Sequence, residues 1–173
     1  MAPTLLFSLR SVLLSVVAAM AVAAGCGGGA SRFAHLQPSE HAAAEAVVRA
    51  LATRDVTTLE ALAVSEDEFM DTVWPALPTS RPEFGMPPDY VWSDTHTKSR
   101  GYLGQALEDY GGQPMTVERV RFLGATTDYG TFRIHAKTVV SVRHADGRTE
   151  DLRLFGSLLE AGGQWKVYSY IVD

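Results

Sequence analysis

Cysteine is almost absent from this sequence, since Cys26 is the only one in the chain. A disulfide within the chain is therefore excluded. Basic residues are outnumbered by acidic ones, and the formal net charge is −5. The densest basic pair, Arg119 and Arg121, alternates with Val120 and Phe122, as on the solvated face of a strand. Because nucleic acids are bound through clustered lysine and arginine, we expect no nucleic-acid partner.

The signatures of common catalytic and metal sites are missing as well. No G-x-S-x-G motif occurs, and Gly156-Ser157 falls inside a predicted strand. The five histidines form no ligand pair at helical spacing, and His135 and His144 belong on opposite faces of a regular strand. The glycine run Gly27-Gly28-Gly29 has no preceding strand and no following lysine, so it is not a phosphate-binding loop. The sequence predicts no metal site and no other cofactor.

The N-terminus has the pattern of an export signal. Residues 11–24 are small or apolar and follow Arg10, but the run is shorter than the roughly 20 residues that span a bilayer. This predicts a signal peptide over residues 1–25. The residues Val22-Ala23-Ala24-Gly25-Cys26 resemble the bacterial lipobox, in which small residues precede a cysteine that is lipidated and becomes the new N-terminus. Ala23 stands where leucine is usual.

The lipobox resemblance implies a bacterial lipoprotein that is exported and held on a membrane through acylated, palmitate-bearing Cys26. It would face the periplasm or the outer surface. An ordinary signal peptide with a chance cysteine is the alternative. The glycine-rich composition after Cys26 predicts a flexible tether over residues 26–38. Residues 39–173 have the length of one domain.

Helix signals fill the first half of this domain. Pro38-Ser39 predicts the start of a helix that runs to about Arg54. Two S/T-x-x-E capping boxes, at 57–60 and 65–68, predict two short helices. Five prolines between residues 75 and 88 then predict an ordered surface loop or a lid.

A longer helix is predicted over residues 89–110, ending at Gly111-Gly112. Residues spaced three or four apart lie on one stripe of this helix and are mostly bulky: Trp92, His96, Ser99, Leu103, Leu107 and Tyr110. His96 lies on this apolar stripe, where it is either a hydrogen-bonded histidine at the edge of the core or a binding residue. Asp128 lies in a predicted turn, and the alternative is a carboxylate at the open end of the sheet.

The last third of the chain predicts four strands, at 116–123, 130–144, 149–160 and 164–172, in one curved antiparallel sheet. Asp146-Gly147 and Gly162-Gly163 are typical of hairpin turns. The alternation of side chains is interrupted at residues 137–140, which predicts a bulge or bend there. The fold class is therefore α+β, with N-terminal helices packed on a four-stranded sheet.

The two faces of this sheet differ in composition. One phase is almost wholly apolar and includes Trp165, so we expect the helix over residues 89–110 to cover it with Trp92, His96 and Leu103 directed inward. His96 should then be at least partly buried. The opposite phase mixes charges with large rings. Its aromatic residues predict either a homodimer surface or scattered surface aromatics: Phe155, Tyr168 and Tyr170.

Helices followed by a long bent antiparallel sheet, closed by Gln164-Trp165-Lys166-Val167-Tyr168, resemble the cone-shaped superfamily of nuclear transport factor, ketosteroid isomerase and SnoaL-like domains. The resemblance covers about residues 39–173 and implies a cone (cystatin-like) fold. Members range from enzymes to interaction modules, so it does not imply one activity. No motif carries the isomerases' catalytic residues onto this chain.

Without a catalytic signature, the sequence favours a non-catalytic domain that binds a small apolar ligand or a protein. Candidate pocket residues are Trp92, His96, Leu103 and Trp165. The alternative is a small isomerase- or hydrolase-like enzyme that uses a pocket in the cone. The two differ in whether an acid or base lies within reach of a bound molecule.

Overall fold

The computed structural model of the chain describes residues 32–172. Over these residues four α-helices precede seven β-strands, so the fold is α+β, as the sequence predicts. The helices are α1 (Glu40–Thr53), α2 (Val56–Leu62), α3 (Glu66–Glu68) and α4 (Pro88–Tyr110). The strands are β1 (Met115–Phe122), β2 (Thr126–Asp128), β3 (Arg133–Ala136), β4 (Thr138–His144), β5 (Thr149–Leu152), β6 (Ser157–Ala161) and β7 (Gln164–Ser169).

The first helix begins and ends close to the predicted residues. The Ser39 hydroxyl accepts a hydrogen bond from Ala42 N at 3.0 Å and caps the first turn of α1. Arg54 ends the helix in the left-handed conformation, with φ at 54°. Its Nη2 donates to the carbonyl of Gly111 at 2.8 Å. This bond ties the end of α1 to the end of α4.

The two short helices differ in how well their caps were predicted. At α2 the cap is Asp55, whose carboxylate accepts from Thr58 N at 3.0 Å, so the capping box predicted at 57–60 is wrong. Aspartate is preferred to threonine as an N-cap, and Asp55 starts the helix two residues before the predicted position. At α3 the predicted box is confirmed, because Ser65 N donates to Glu68 at 2.8 Å while Glu68 N donates back to the Ser65 hydroxyl.

The helical path continues beyond α3 and then breaks up. Phe69–Val73 forms a π-helical turn and Trp74–Ala76 a 3₁₀ turn. Two further 3₁₀ turns, Pro78–Ser80 and Pro82–Phe84, give the proline-rich segment a regular path up to α4. Each begins at a proline, whose fixed φ suits the first position of such a turn.

The strands form two antiparallel sheets rather than the predicted single sheet of four strands. Their orders are β1-β4-β5 and β2-β3-β6-β7. Lys137, with φ at 55°, separates β3 from β4 and confirms the predicted bend. The chain also leaves the strand conformation between β5 and β6, so each long predicted strand becomes a member of both sheets. Thr138 N still donates to Gly156 O at 2.9 Å across the bend.

Two hydrophobic clusters lie on opposite sides of the four-stranded sheet. Leu158 belongs to the first, with α1, α2 and α4, and Leu159 to the second, with Phe33, Phe69 and Phe132. Neighbours along a strand point to opposite faces. Both faces of the sheet are therefore buried at β6 and β7, although β2 at the edge is exposed, and the prediction of one apolar and one mixed polar face is wrong.

The residues predicted to form a homodimer surface are mostly inside the chain. Phe155 and Tyr170 are 0% and 2% exposed and belong to the first cluster. Tyr168 is half-buried against the second cluster. These three side chains therefore offer no continuous exposed aromatic surface, and self-association itself stays a prediction.

The described part of the predicted tether, residues 32–38, is docked on the sheet. Phe33 is buried in the second cluster. Gln37 exchanges backbone hydrogen bonds with Trp165 at 2.7 and 2.8 Å, which covers the edge of β7. Buried Lys166 donates to Ala34 O and to Glu68, both at 2.9 Å, and Glu68 accepts from Ala34 N. The rest of the tether and Cys26 lie outside the described residues.

Candidate functional site

A cavity of about 290 Å³ lies where the α2–α3 connection, α4 and the end of β7 meet. Its walls combine aromatic and aliphatic side chains with hydroxyls and a few charges. The lining residues are Glu60, Ala63, Val64, Ser65, Glu66, Trp92, Thr95, His96, Ser99, Arg100, Leu103, Tyr168, Ser169 and Tyr170. Its volume is close to the lower end of the roughly 300–1,000 Å³ found for small-molecule pockets.

Tyr170 joins three elements beside the cavity. Its hydroxyl donates to Leu59 O in α2 at 2.7 Å, and its backbone N donates to the Ser99 hydroxyl in α4 at 3.0 Å. Burial raises the pKa of Tyr170 above its usual value, and the negative charge of Glu60 acts in the same direction. The phenol is therefore neutral at physiological pH. The phenol is a fixed donor to α2, while the backbone amide of Tyr170 holds α4 at the end of the sheet.

Trp92 and His96 form a stacked aromatic pair in the lining. Their ring centroids are 5.1 Å apart and the planes meet at 15°. The indole also contacts Phe69 at 5.3 Å, a buried residue of the π-helical turn. Single π-helical turns are common near functional sites because they redirect a side chain. Here the turn places Phe69 against Trp92.

The charged part of the lining is exposed. Arg100 Nε lies 3.2 Å from Glu60 Oε1, with the two side chains 62% and 44% exposed. A pair this open to water contributes little stability. Glu66 is also exposed, and within residues 32–172 it has no ion-pair partner. A ligand that reaches these groups would displace water rather than break a strong pair.

Tyr168 is the second phenol in the lining. Burial raises its pKa to about 12, with a smaller contribution from Tyr129. The group is half-buried and packs against the second cluster. At neutral pH it is an uncharged hydroxyl. The two tyrosines thus add aromatic surface and no charge.

Three of the four predicted pocket residues come together in this cavity. Leu103 is 3% exposed, while Trp92 is half-buried. His96 is exposed, so the prediction that it is at least partly buried is wrong. The first half of α4 lies over the open cavity rather than over the sheet, and the imidazole is held by stacking on Trp92. Whether these residues bind a ligand stays a prediction.

Trp165, the fourth predicted pocket residue, lies elsewhere. Its ring stacks on Phe122 at 5.9 Å and lies 4.7 Å from His135. It packs at the border of the first cluster and does not line the cavity. The sequence correctly predicts that Trp165 points inward from the sheet, but its predicted neighbours on the helix over residues 89–110 are wrong.

Several lining residues were not predicted for a physical reason. The pairing of β6 with β7 slips between Ser157 and Leu158. A bulge of this kind reverses the phase of the residues after it. Tyr170 therefore turns into the first cluster instead of the opposite face, and no turn residue in the sequence marks the slip. Glu60 and Arg100, on separate helices, gave no signal of their contact.

The cavity lining contains no hydrogen-bonded histidine and carboxylate. In the described chain such pairs lie elsewhere, at His135–Glu160 and His144–Glu150. Residues 32–172 also contain no group of three histidine, cysteine, aspartate or glutamate side chains that could hold a metal ion. The arrangement suits binding through shape, aromatic contact and hydroxyl groups.

No helix within residues 32–172 has the length and hydropathy needed to cross a membrane. Comparisons of the chain with family models, with curated proteins and with solved structures gave no match.

Proposed function

We propose that this chain is a membrane-anchored lipoprotein whose domain binds a small, largely apolar ligand in the cavity beside α4. The observation that carries the proposal is the cavity itself. It combines the Trp92–His96 stack and the buried Leu103 side chain with neutral tyrosines. No acid–base pair accompanies them, so binding is favoured over catalysis in this cavity.

The ligand expected from this lining is compact and has a flat apolar part. A volume of about 290 Å³ accepts one or two fused rings or a short branched chain. A planar ring would lie against the Trp92–His96 stack, since aromatic surfaces gain from offset stacking. The hydroxyls of Ser65 and Thr95 would select a polar group at one end.

We infer that the fold is the cone-shaped architecture of the nuclear transport factor superfamily. Support comes from the order of helices before strands and from the bend at Lys137 that makes the sheet curve. The long helix α4 contacts the end of β7, as expected for a helix that lies at the open end of a curved sheet. A shared fold would not by itself assign an activity.

Membrane attachment through acylated Cys26 is part of the same proposal. Five residues lie between Cys26 and Arg32, and the six residue steps from one to the other span at most about 22 Å when extended. With Phe33 fixed in the second cluster, the domain would lie next to the bilayer surface. Stable attachment would need two or more acyl chains.

Mass spectrometry of the membrane fraction tests the anchor. An acylated peptide that begins at Cys26 supports it, and Cys26→Ser should release the domain or leave the precursor unprocessed. An unmodified peptide that begins at another residue, or before Cys26, would contradict the anchor without affecting the cavity.

Native mass spectrometry of the domain from its own host tests the cavity, because it reports a retained ligand and the oligomeric state together. A neutral two-ring dye, N-phenyl-1-naphthylamine, serves as a direct probe. We expect His96→Ala to weaken dye binding about tenfold with little loss of stability, since the side chain is exposed. Thr97→Ala, exposed on the same helix and outside the lining, is the matched control. Absence of a retained ligand together with equal dye binding by both variants would refute the proposal.

A further inference from the structure

A chain of three polar side chains crosses the four-stranded sheet, away from the cavity. The Thr126 hydroxyl lies 3.0 Å from His135 Nδ1, and Glu160 Oε2 lies 3.0 Å from His135 Nε2. Thr126 and His135 are directly opposite each other on β2 and β3. Glu160 comes from β6, the next strand. The arrangement joins a hydroxyl, an imidazole and a carboxylate in a row.

The imidazole packs against two rings that also stack on each other. Phe122 lies 4.8 Å from one side of His135 and Trp165 lies 4.7 Å away. The residue is only 8% exposed. Arg133 approaches Glu160 at 3.5 Å and anchors its carboxylate. Packing and hydrogen bonds therefore fix both the position and the plane of the imidazole.

The hydrogen bonds determine which nitrogen carries the proton. A carboxylate only accepts hydrogen bonds, so the neutral imidazole must donate to Glu160 through Nε2–H. Nδ1 is then the unprotonated nitrogen and accepts from the Thr126 hydroxyl. This direction leaves Nδ1 ready to take the hydroxyl proton when the Thr126 oxygen reacts.

Of the three residues, Thr126 is the one open to solvent. It lies on β2, the edge of its sheet. Bonds from Tyr129 N to Phe132 O and from Ala136 N to Ala125 O fix the alternation of the ladder. The amide of Thr126 therefore points away from β3, and because β2 is an edge strand, this amide has no strand partner within residues 32–172. A free N–H beside a nucleophile is the donor that an oxyanion needs.

From this geometry we propose that Thr126 is an activated nucleophile for carboxylic esters, with His135 as its base and Glu160 as a positioning residue. The Thr126 oxygen bonds to the ester carbonyl carbon while its proton passes to Nδ1. The ester C–O bond then breaks, and the leaving alkoxide takes that proton. Water attacks the acyl-threonine and gives a proton to Nδ1, and Thr126 regains the proton as the carboxylic acid leaves.

Covalent labelling of the full chain with an alkyl fluorophosphonate tests this directly. The P–F bond breaks, fluoride leaves and one phosphonyl group remains on the attacking oxygen. We expect peptide mass spectrometry to locate the label on Thr126. Thr126→Ser should keep labelling and Thr126→Val should abolish it, whereas Thr127→Val, the exposed neighbour on β2, should label like the parent. Absence of labelling, or labelling that persists in Thr126→Val, would overturn the proposal.

The base and the positioning residue have their own readouts. His135→Gln should slow labelling about 100-fold, in the range for removal of a general base. If His135→Gln fails to fold, the two exposed Thr126 variants still decide the matter. In the parent, ¹⁵N shifts of His135 should show the Nε2–H form, and Glu160→Gln should change that form while circular dichroism stays the same. An Nδ1–H imidazole in the parent would make Thr126 the acceptor and would overturn the role of His135.

Discussion

Replacement of Leu103 by alanine tests how α4 is attached to the rest of the domain. Leu103 is 3% exposed and belongs to the first cluster, which includes residues of α1 and both sheets. The change removes three buried side-chain carbons, which lowers the free energy of unfolding by about 2.4 kcal/mol at roughly 0.8 kcal/mol per carbon. Leucine-to-alanine changes in cores cost about 2–5 kcal/mol in total, and the excess grows with the void left behind.

The void should be small in this case. Leu103 already lines the open cavity, so the vacated space joins the cavity instead of forming a closed hole. We therefore expect a loss of about 2.5–3.5 kcal/mol in the free energy of unfolding, in the lower half of that range. The same change enlarges the cavity and should weaken binding of the two-ring dye.

Urea unfolding followed by tryptophan fluorescence and circular dichroism measures this loss. The m-value should stay the same, because the folded state keeps its extent. Gln105→Ala, at an exposed position two residues along α4, should change stability by no more than about 0.5 kcal/mol. A Leu103→Ala protein as stable as the Gln105→Ala control would refute the packing of α4 against the first cluster.

Two further changes probe the second face of the sheet. Glu68→Gln should destabilise the domain by about 3 kcal/mol or more, because it leaves the buried ammonium of Lys166 without its counter-charge. Asp67→Asn, an exposed neighbour, is the control in the same urea experiment. Equal stability of the two variants would contradict the role of the Glu68–Lys166 pair. Because burial raises the pKa of Tyr168 from 10.0 to about 12, its contribution is present below pH 10 and is lost between pH 10 and 12. The free energy of unfolding of Tyr168→Phe should therefore fall less than that of the parent between pH 10 and 12. An equal fall in the two proteins would contradict the raised pKa of Tyr168.

Local signals in the sequence predicted the helical half well. The Ser39 cap, the Ser65–Glu68 box and the prolines before α4 each act within a few residues. Such signals are strong because a free amide or a fixed φ has few alternative solutions. The error at α2 is local as well, because Asp55, which precedes the predicted box by two residues, caps the helix.

The sheets were predicted less well because their phase depends on partners distant in sequence. The bend at Lys137 was visible as a break in alternation, but the slip between β6 and β7 was not. A shift of one residue in the pairing, which the sequence does not reveal, moves every later side chain to the other face of the sheet. For this reason Tyr170 was assigned to a surface, although it holds α2 and α4 together.

The candidate site was also predictable only where its residues lie on one helix. The stripe of α4 predicted that Trp92, His96 and Leu103 would lie together, and they line one cavity. Their partners could not be predicted, because the π-helical turn that carries Phe69 to Trp92 has no sequence signature. The chain Thr126–His135–Glu160 was also missed, since its members lie on three strands whose order was unknown.

The short strand β7 contacts several distant parts of the molecule. Trp165 fixes His135 on one side, and Lys166, the next residue, holds residues 32–38 and Glu68 on the other. Tyr168, at the slip, and Tyr170, beyond it, both line the cavity. Most side chains of β7 are buried or half-buried, so substitutions there reach both faces of the sheet. The cavity and the Thr126 chain therefore depend on the same backbone, although the two share no side chain, and a change that shifts the register of β7 should disturb both.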